Sequence, residues 1–173
     1  MAGGDALILR RAEPADLDFL VGVQLDEDVR PFLAAAGSYE REGLAASIER
    51  GAAEPERGEL LLIEVEGERA GALLWELVNE RSAIAHLGGV AIHPRFRGRR
   101  LADDAARRLQ RQLLLERGLH RLQLEIYGFN ERAQRHAERS GFVREGVKRK
   151  AYRRGEEWVD GVLYGIVRED LES

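Results

Sequence analysis

The chain has 173 residues, 44% of them apolar, which suits one packed domain over 1–173 and leaves too little for a second. Its formal charge of −4 opposes nucleic acid in general, so a role on RNA or the ribosome would need the arginines between Arg95 and Arg121 gathered on one face. The absence of cysteine excludes disulfides, thiolate metal sites and a cysteine nucleophile, and no window approaches the roughly 20 apolar residues of a membrane span, so a soluble, cytoplasmic protein is expected.

Ala6 to Arg11 alternates weakly and predicts a strand. Glu13-Pro14-Ala15-Asp16 then starts a helix, with proline in the first turn and acids near the positive dipole end. Leu17, Leu20, Val21 and Leu25 continue it, and Pro31 interrupts the next stretch. A second helix is predicted from Tyr39 to about Arg50 with Ser38 as N-cap, before a polar loop from Glu54 to Gly58. Strands come next over Leu60–Glu66 and Arg69–Val78 about a tight turn at Gly67-Glu68, then over Ala83–Ile92, as an antiparallel meander.

Leu101, Ala105, Leu109 and Leu113 recur every four residues, which predicts one helix from Leu101 to Arg117 closed by Gly118. His120–Tyr127 reads as a strand and Glu131–Ser140 as a short helix capped by Asn130 and stopped by Gly141. Phe142–Tyr152 and Trp158–Glu169 form a last hairpin across Arg153-Arg154-Gly155-Glu156. The order is mixed α/β, and the strands on either side of the Leu101 helix should pair in parallel.

The turn between Ile92 and Leu101 carries Arg95, Arg97, Arg99 and Arg100 at the mouth of a helix. Unpaired N–H groups and the positive dipole end make such a place suited to phosphate. Gly98 permits close backbone approach and Ala102 keeps the helix start slim. Gly88-Gly89 inside the preceding strand marks a bulge or a close backbone approach.

Arg97-Gly98-Arg99-Arg100-Leu101-Ala102, followed by Asn130, Ala133, Gly141 and Phe142 and then by Trp158-Val159-Asp160, resembles the GCN5-related N-acetyltransferases. The likeness runs from Leu7 to Asp170 and is strongest to the branch acting on ribosomal-protein N-termini and small amines. It departs at Arg100, where that family usually has glycine; a left-handed backbone there would cost arginine roughly 1 kcal/mol or more. The resemblance implies a mostly antiparallel twisted sheet, one parallel pair splayed to admit coenzyme A, and about four helices. It implies acetyl-CoA as cosubstrate, no metal and an amine acceptor. Val90, Ala91 and Ile92 would meet the pantetheine arm, the stretch Arg97, Gly98, Arg99, Arg100, Leu101 and Ala102 the diphosphate, and Asn130 the arm again.

An ammonium must lose a proton before it attacks a thioester, so a base is expected. His86, counted back from Arg97, and Glu125, five residues before Asn130, stand where relatives carry one. Glu76 is a third option. The tyrosine that many relatives use to protonate the leaving thiolate falls here at Ala137, and His136 points elsewhere on its helix. A thiolate is a good leaving group, so water is one option for its proton, and Tyr127 or Tyr152 are the others. Trp75, Trp158 and Tyr152 are candidates for an acceptor pocket or for core. Without cysteine the transfer would be direct. A coenzyme-A-binding protein without catalysis is the alternative, an RNA-associated module a further one, and a homodimer through the last hairpin's open edge is expected.

Overall fold

The computed structural model describes residues 7–33 and 39–172; the strand start at Ala6 and the Ser38 cap lie outside the described residues. Its strands are β1 (Leu7–Arg11), β2 (Gly58–Val65), β3 (Glu68–Asn79), β4 (Ile84–Ile92), β5 (Arg121–Tyr127), β6 (Val143–Arg154) and β7 (Glu157–Val167). Its helices are α1 (Leu17–Leu25), α2 (Arg41–Ala53), α3 (Leu101–Gln110), α4 (Glu131–Arg139) and a terminal turn α5 (Glu169–Glu172). The strands form one sheet in the order β1-β2-β3-β4-β5-β7-β6. Every neighbouring pair is antiparallel except β4 and β5, as the strand–helix–strand order required.

The run Leu60-Leu61-Leu62-Ile63 is buried throughout because β2 lies inside the sheet with both faces covered. Leu60 and Leu62 pack with Leu20 of α1 and with Leu44 and Ile48 of α2. Leu61 and Ile63 face the other way, into the cluster holding Leu101, Ala105 and Leu109 of α3. The two layers of helix therefore follow from the strand period of two read against the helical period near four.

Three local expectations are corrected. The β2–β3 turn is Glu66-Gly67, with positive φ at both residues, the geometry that matches the twist of a two-residue hairpin. Beyond Gln110 the third helix widens into a π-turn over Arg111–Glu116, which brings the consecutive Leu113 and Leu114 both into the core. Gly118 still ends it in the left-handed region, and the Leu119 amide donates back to the Leu113 carbonyl. Finally, α2 begins at Arg41, so Tyr39 stands outside the helix.

Strand β4 is kinked where the glycine pair predicts. Ala91 pairs with Ala72 and Gly88 with Leu74, so Gly89 and Val90 together oppose Leu73. Gly89 has φ 60°, a bulge conformation that suits glycine. On the other side of β4 the parallel ladder with β5 runs only through Ile84–Arg121, Ala85–Leu122 and His86–Gln123. Beyond those three pairs the strands part.

Candidate functional site

The parting of β4 and β5 opens a cleft of about 700 Å³. Leu87 to Ile92 form one wall and Leu124 to Tyr127 the other; Asn130, Ala133 and Ala137 of α4 line the floor, and Gly98 and Arg100 to Asp103 close one end. Of the residues expected on sequence grounds, His86, Val90, Ala91, Ile92, Arg97, Gly98, Arg100, Leu101, Ala102, Glu125 and Asn130 all border it. Arg99 does not: its guanidinium lies over the Phe96 ring, 5.6 Å from the centroid.

The basic turn is built by its backbone. The His93 side chain accepts from the Arg95 amide, and Pro94–Phe96 make a 3-10 turn that takes up the Arg97 amide on the Pro94 carbonyl. Gly98 has φ 83° and Arg100 has φ 57° and ψ 22°, so the helix begins abruptly at Leu101. Among the described residues no acceptor takes the amides of Gly98, Arg100, Leu101 or Ala102. Successive N–H groups of a turn containing left-handed residues make a concavity for an anion, reinforced here by a helix N-terminus. Arginine at the left-handed position costs roughly 1 kcal/mol, strain of a kind that gathers at functional sites.

The arginine side chains divide their work. Arg95 pairs with Glu68. Arg97 spans from the turn to the loop after α1, donating to Asp26 at 2.7 Å, to Asp28 at 2.8 Å and to the Ile92 carbonyl at 3.2 Å. It is thus a strut for the loop, while only its backbone belongs to the anion turn. Arg132 donates to the Asp28 carbonyl, and Arg154 donates to the Pro31 carbonyl while lying over the rings of Tyr127 and Phe129. Three elements therefore pin this loop over the cleft, where Val29, Phe32 and Leu33 add an apolar roof. Arg100 borders the cleft with no side-chain partner among the described residues.

Asn130 caps α4, its Oδ1 accepting from the Ala133 amide at 3.1 Å. No described residue accepts from its Nδ2, which leaves the amide group able to donate into the cleft. Next to it, the buried Asp103 accepts from Arg139 and holds His136 at 2.5 Å, so His136 is engaged on the α3 side. Ala137, where the resemblance leads one to expect a tyrosine, is fully buried.

His86 and Glu125 stand on the two parting strands. His86 is half-buried, and burial pulls its pKa below the ordinary value of 6.5, against the opposite pull of Glu76 and Glu125. It is therefore a neutral imidazole near pH 7, able to accept a proton. Glu76 is its cross-strand neighbour on β3 and is exposed. Glu125 borders the cleft and its carboxylate lies over Gly161 of β7. Its Oε1 accepts from the Tyr152 hydroxyl at 2.5 Å and its Oε2 from Lys148 Nζ at 3.0 Å. That hydrogen bond pushes the Tyr152 phenol pKa up, and the same carboxylate pushes Lys148 up.

Of the aromatic candidates, Trp75 belongs to the core and donates to the buried Glu59, while Trp158 is more than half exposed. Tyr152 borders the cleft. Sequence reasoning missed Tyr39. Its ring packs on the bulge, where a side-chain carbon at Gly89 would come within 2.8 Å of Cε1. The available signal was its position at the end of the loop after the first helix, where specificity loops sit. Behind the bulge, the buried Gln24 donates to the Gly89 carbonyl at 3.4 Å, and its Oε1 has no partner.

Among the described residues no group of His, Asp and Glu is placed to hold a metal ion, and no helix is long and apolar enough to cross a membrane.

The solved structures similar to this chain include the spermidine N-acetyltransferase of Vibrio cholerae, in complex with CoA and spermine. It is 18% identical, with a TM-score of 0.84 over 96% of this chain and 98% of that one. RimJ of Mycobacterium smegmatis, in complex with CoA-disulfide, is 19% identical with a TM-score of 0.82 over 96% and 84%. At these identities the likeness establishes the fold, including β6 and β7. The SPbeta prophage-derived uncharacterized N-acetyltransferase YokL of Bacillus subtilis (strain 168) is 29% identical over 83 residues, 48% of this chain. The chain spans 47% of the length of that curated relative. The family model for the acetyltransferase (GNAT) domain matches residues 6–143, from the first strand through α4, and by that match the chain belongs to the GNAT acetyltransferases.

Proposed function

We propose that this chain transfers the acetyl group of acetyl-CoA to a primary amine by direct attack of the amine on the thioester. The single observation that carries the reading is the parting of β4 and β5 after three pairs, with a turn of unpaired amides at the mouth of the resulting cleft. The amides of Gly98, Arg100, Leu101 and Ala102 suit a diphosphate, and Arg100 borders the same cleft with a charge that would add to them. The glycine pair 88–89 and the alanines 102, 133 and 137 border the cleft and leave room for a thin arm, which Val90, Ala91 and Ile92 would meet through their backbone and Asn130 through its Nδ2 amide. An amide of the bulge would polarise the thioester carbonyl. His86, kept neutral, serves as base, and Glu125 orients the acceptor's ammonium beside it.

The acceptor is a primary amine of a protein N-terminus or a small molecule. Strand β6, which brings Lys148 and Tyr152 to the site, carries six cations against one acid, Glu145, and that acid is paired with Arg121. This surround favours an acceptor bearing negative charge, such as an acidic peptide N-terminus, over a polyamine. The test is incubation with acetyl-CoA and a panel of acidic peptides, neutral peptides and polyamines, followed by mass analysis. Gain of one acetyl group on a peptide amine is the expected result. Tight CoA binding by calorimetry with no acetylation across the panel would instead identify a non-catalytic binding protein.

A further inference from the structure

The chain has four tyrosines, at 39, 127, 152 and 164. Tyr164 is buried and donates to Glu138, and Tyr152 donates to Glu125. Tyr127 is engaged among Phe129, Tyr152 and Arg154 and has a further interaction of its own. The Tyr39 hydroxyl has no hydrogen-bond partner among the described residues, and the residue borders the cleft. It sits over the bulge of β4. A side-chain carbon at Gly88 would lie 3.7 Å from the Tyr39 Oη and 3.9 Å from Nε2 of His86. One atom placed in that space therefore touches both groups.

From this geometry we propose that Tyr39 is a catalytic residue, the proton donor to the departing thiolate, and that it works as a pair with His86. The assignment rests on the acetyl-transfer reading above. It fills the place left by Ala137 with a phenol from a different element, the segment leading into α2. Burial raises the Tyr39 pKa, with Glu76 adding to it, so the group enters the reaction as a protonated phenol. His86 beside it is held neutral. Acid and base are thus in opposite protonation states at one pH, as proton transfer in both directions requires.

The protons balance. His86 takes one proton from the acceptor's ammonium and later yields it to solvent. As the amine nitrogen forms its bond to the carbonyl carbon, the carbon–sulfur bond breaks and the sulfur takes the Tyr39 proton. The phenolate then recovers a proton from the newly acylated nitrogen, which still carries one too many. The net products are an amide, a free thiol and one proton released.

The test compares Tyr39→Phe with the unaltered protein in binding and in turnover. By calorimetry, the unaltered protein should bind CoA about fivefold tighter than desulfo-CoA, the strength of one hydrogen bond to sulfur, and Tyr39→Phe should lose that preference while binding desulfo-CoA equally well. With acetyl-CoA its kcat should fall about 10²-fold or more, and an acetyl thioester of an acidic aromatic thiol, which needs no proton on leaving, should restore most of the rate. Equal preference for CoA in both proteins, unchanged kcat, or an equal loss with both thioesters would overturn the role of Tyr39. Absence of turnover by the unaltered protein with every amine would instead overturn the acetyl-transfer reading, and the Tyr39 role with it.

Discussion

Glu125 lies directly over Gly161. A side-chain carbon at that glycine would overlap Oε1 of the carboxylate and come within 2.7 Å of the Tyr152 ring. Strand β7 is thus notched between β5 and β6, and the notch is what lets Glu125, Tyr152 and Lys148 meet across it. Gly161→Ala should dislodge this group while leaving the anion turn, on the far side of the cleft, intact. The expected outcome is a loss of about 10²-fold in kcat/KM for the amine with CoA affinity unchanged, read by steady-state kinetics and calorimetry. An alanine variant with normal kinetics would remove Glu125 from the acceptor side.

His86 gives the activity a definite pH dependence. Its neutral form is the useful one, and burial moves its pKa below 6.5, so kcat/KM should hold as pH drops to 6.5 and fall only beneath it. The sign follows from the depressed pKa: the base stays unprotonated further into acid than a solvated histidine would. His86→Gln should lower kcat/KM by about 10²–10⁴-fold and abolish that acidic limb. A limb of the same position in the variant would assign it to another group.

The fold is legible wherever a short-range period carries it. Leu60–Glu66 announces a strand, Leu101 through Leu109 a helix with one apolar stripe, Gly88-Gly89 a bulge, and Asn130 a cap. The walls of the cleft follow from the order of these elements. The hidden part depends on contacts far apart in the chain. Arg97 meets Asp26 across 71 positions, and Glu125 meets Tyr152 across 27, and no period links such pairs. Tyr39 reads as helical because its neighbours in sequence continue a helix, whereas its partners in space are two glycines on β4. Gly161 reads as an ordinary strand glycine, since a notch is visible only once the side chains that fill it are placed.

Asp16 ties the start of α1 to the first strands. It is buried and accepts from Arg10, from Arg69 and from the Glu13 amide. The Arg10 hydrogen bonds, ahead of burial that works against them, hold its pKa at about 2, down from 3.8. A carboxylate depressed in this way contributes stability that is complete above pH 3.8 and is lost as pH falls through about 2. Asp16→Asn should therefore cost about 2 kcal/mol at pH 7, measured by urea denaturation. The gap between the two proteins should close on acidification; a gap that persists at the acid end would mean that the loss comes from packing.

Arg100 combines a strained backbone with an uncommitted charge, and two substitutions separate these. Arg100→Gly relieves the left-handed strain of roughly 1 kcal/mol but adds unfolded-state entropy of similar size, so its melting temperature should stay near that of the parent. Arg100→Ala keeps the strain. Both remove the guanidinium from the residue that borders the cleft at the anion turn, so both should weaken CoA by about one charge-assisted hydrogen bond, roughly tenfold, and reduce the salt dependence of binding. The two variants should match in affinity although they differ in backbone strain. If only Arg100→Ala weakened binding, the amide geometry set by the left-handed residue would be the operative feature, and the arginine charge would have no part in holding the diphosphate.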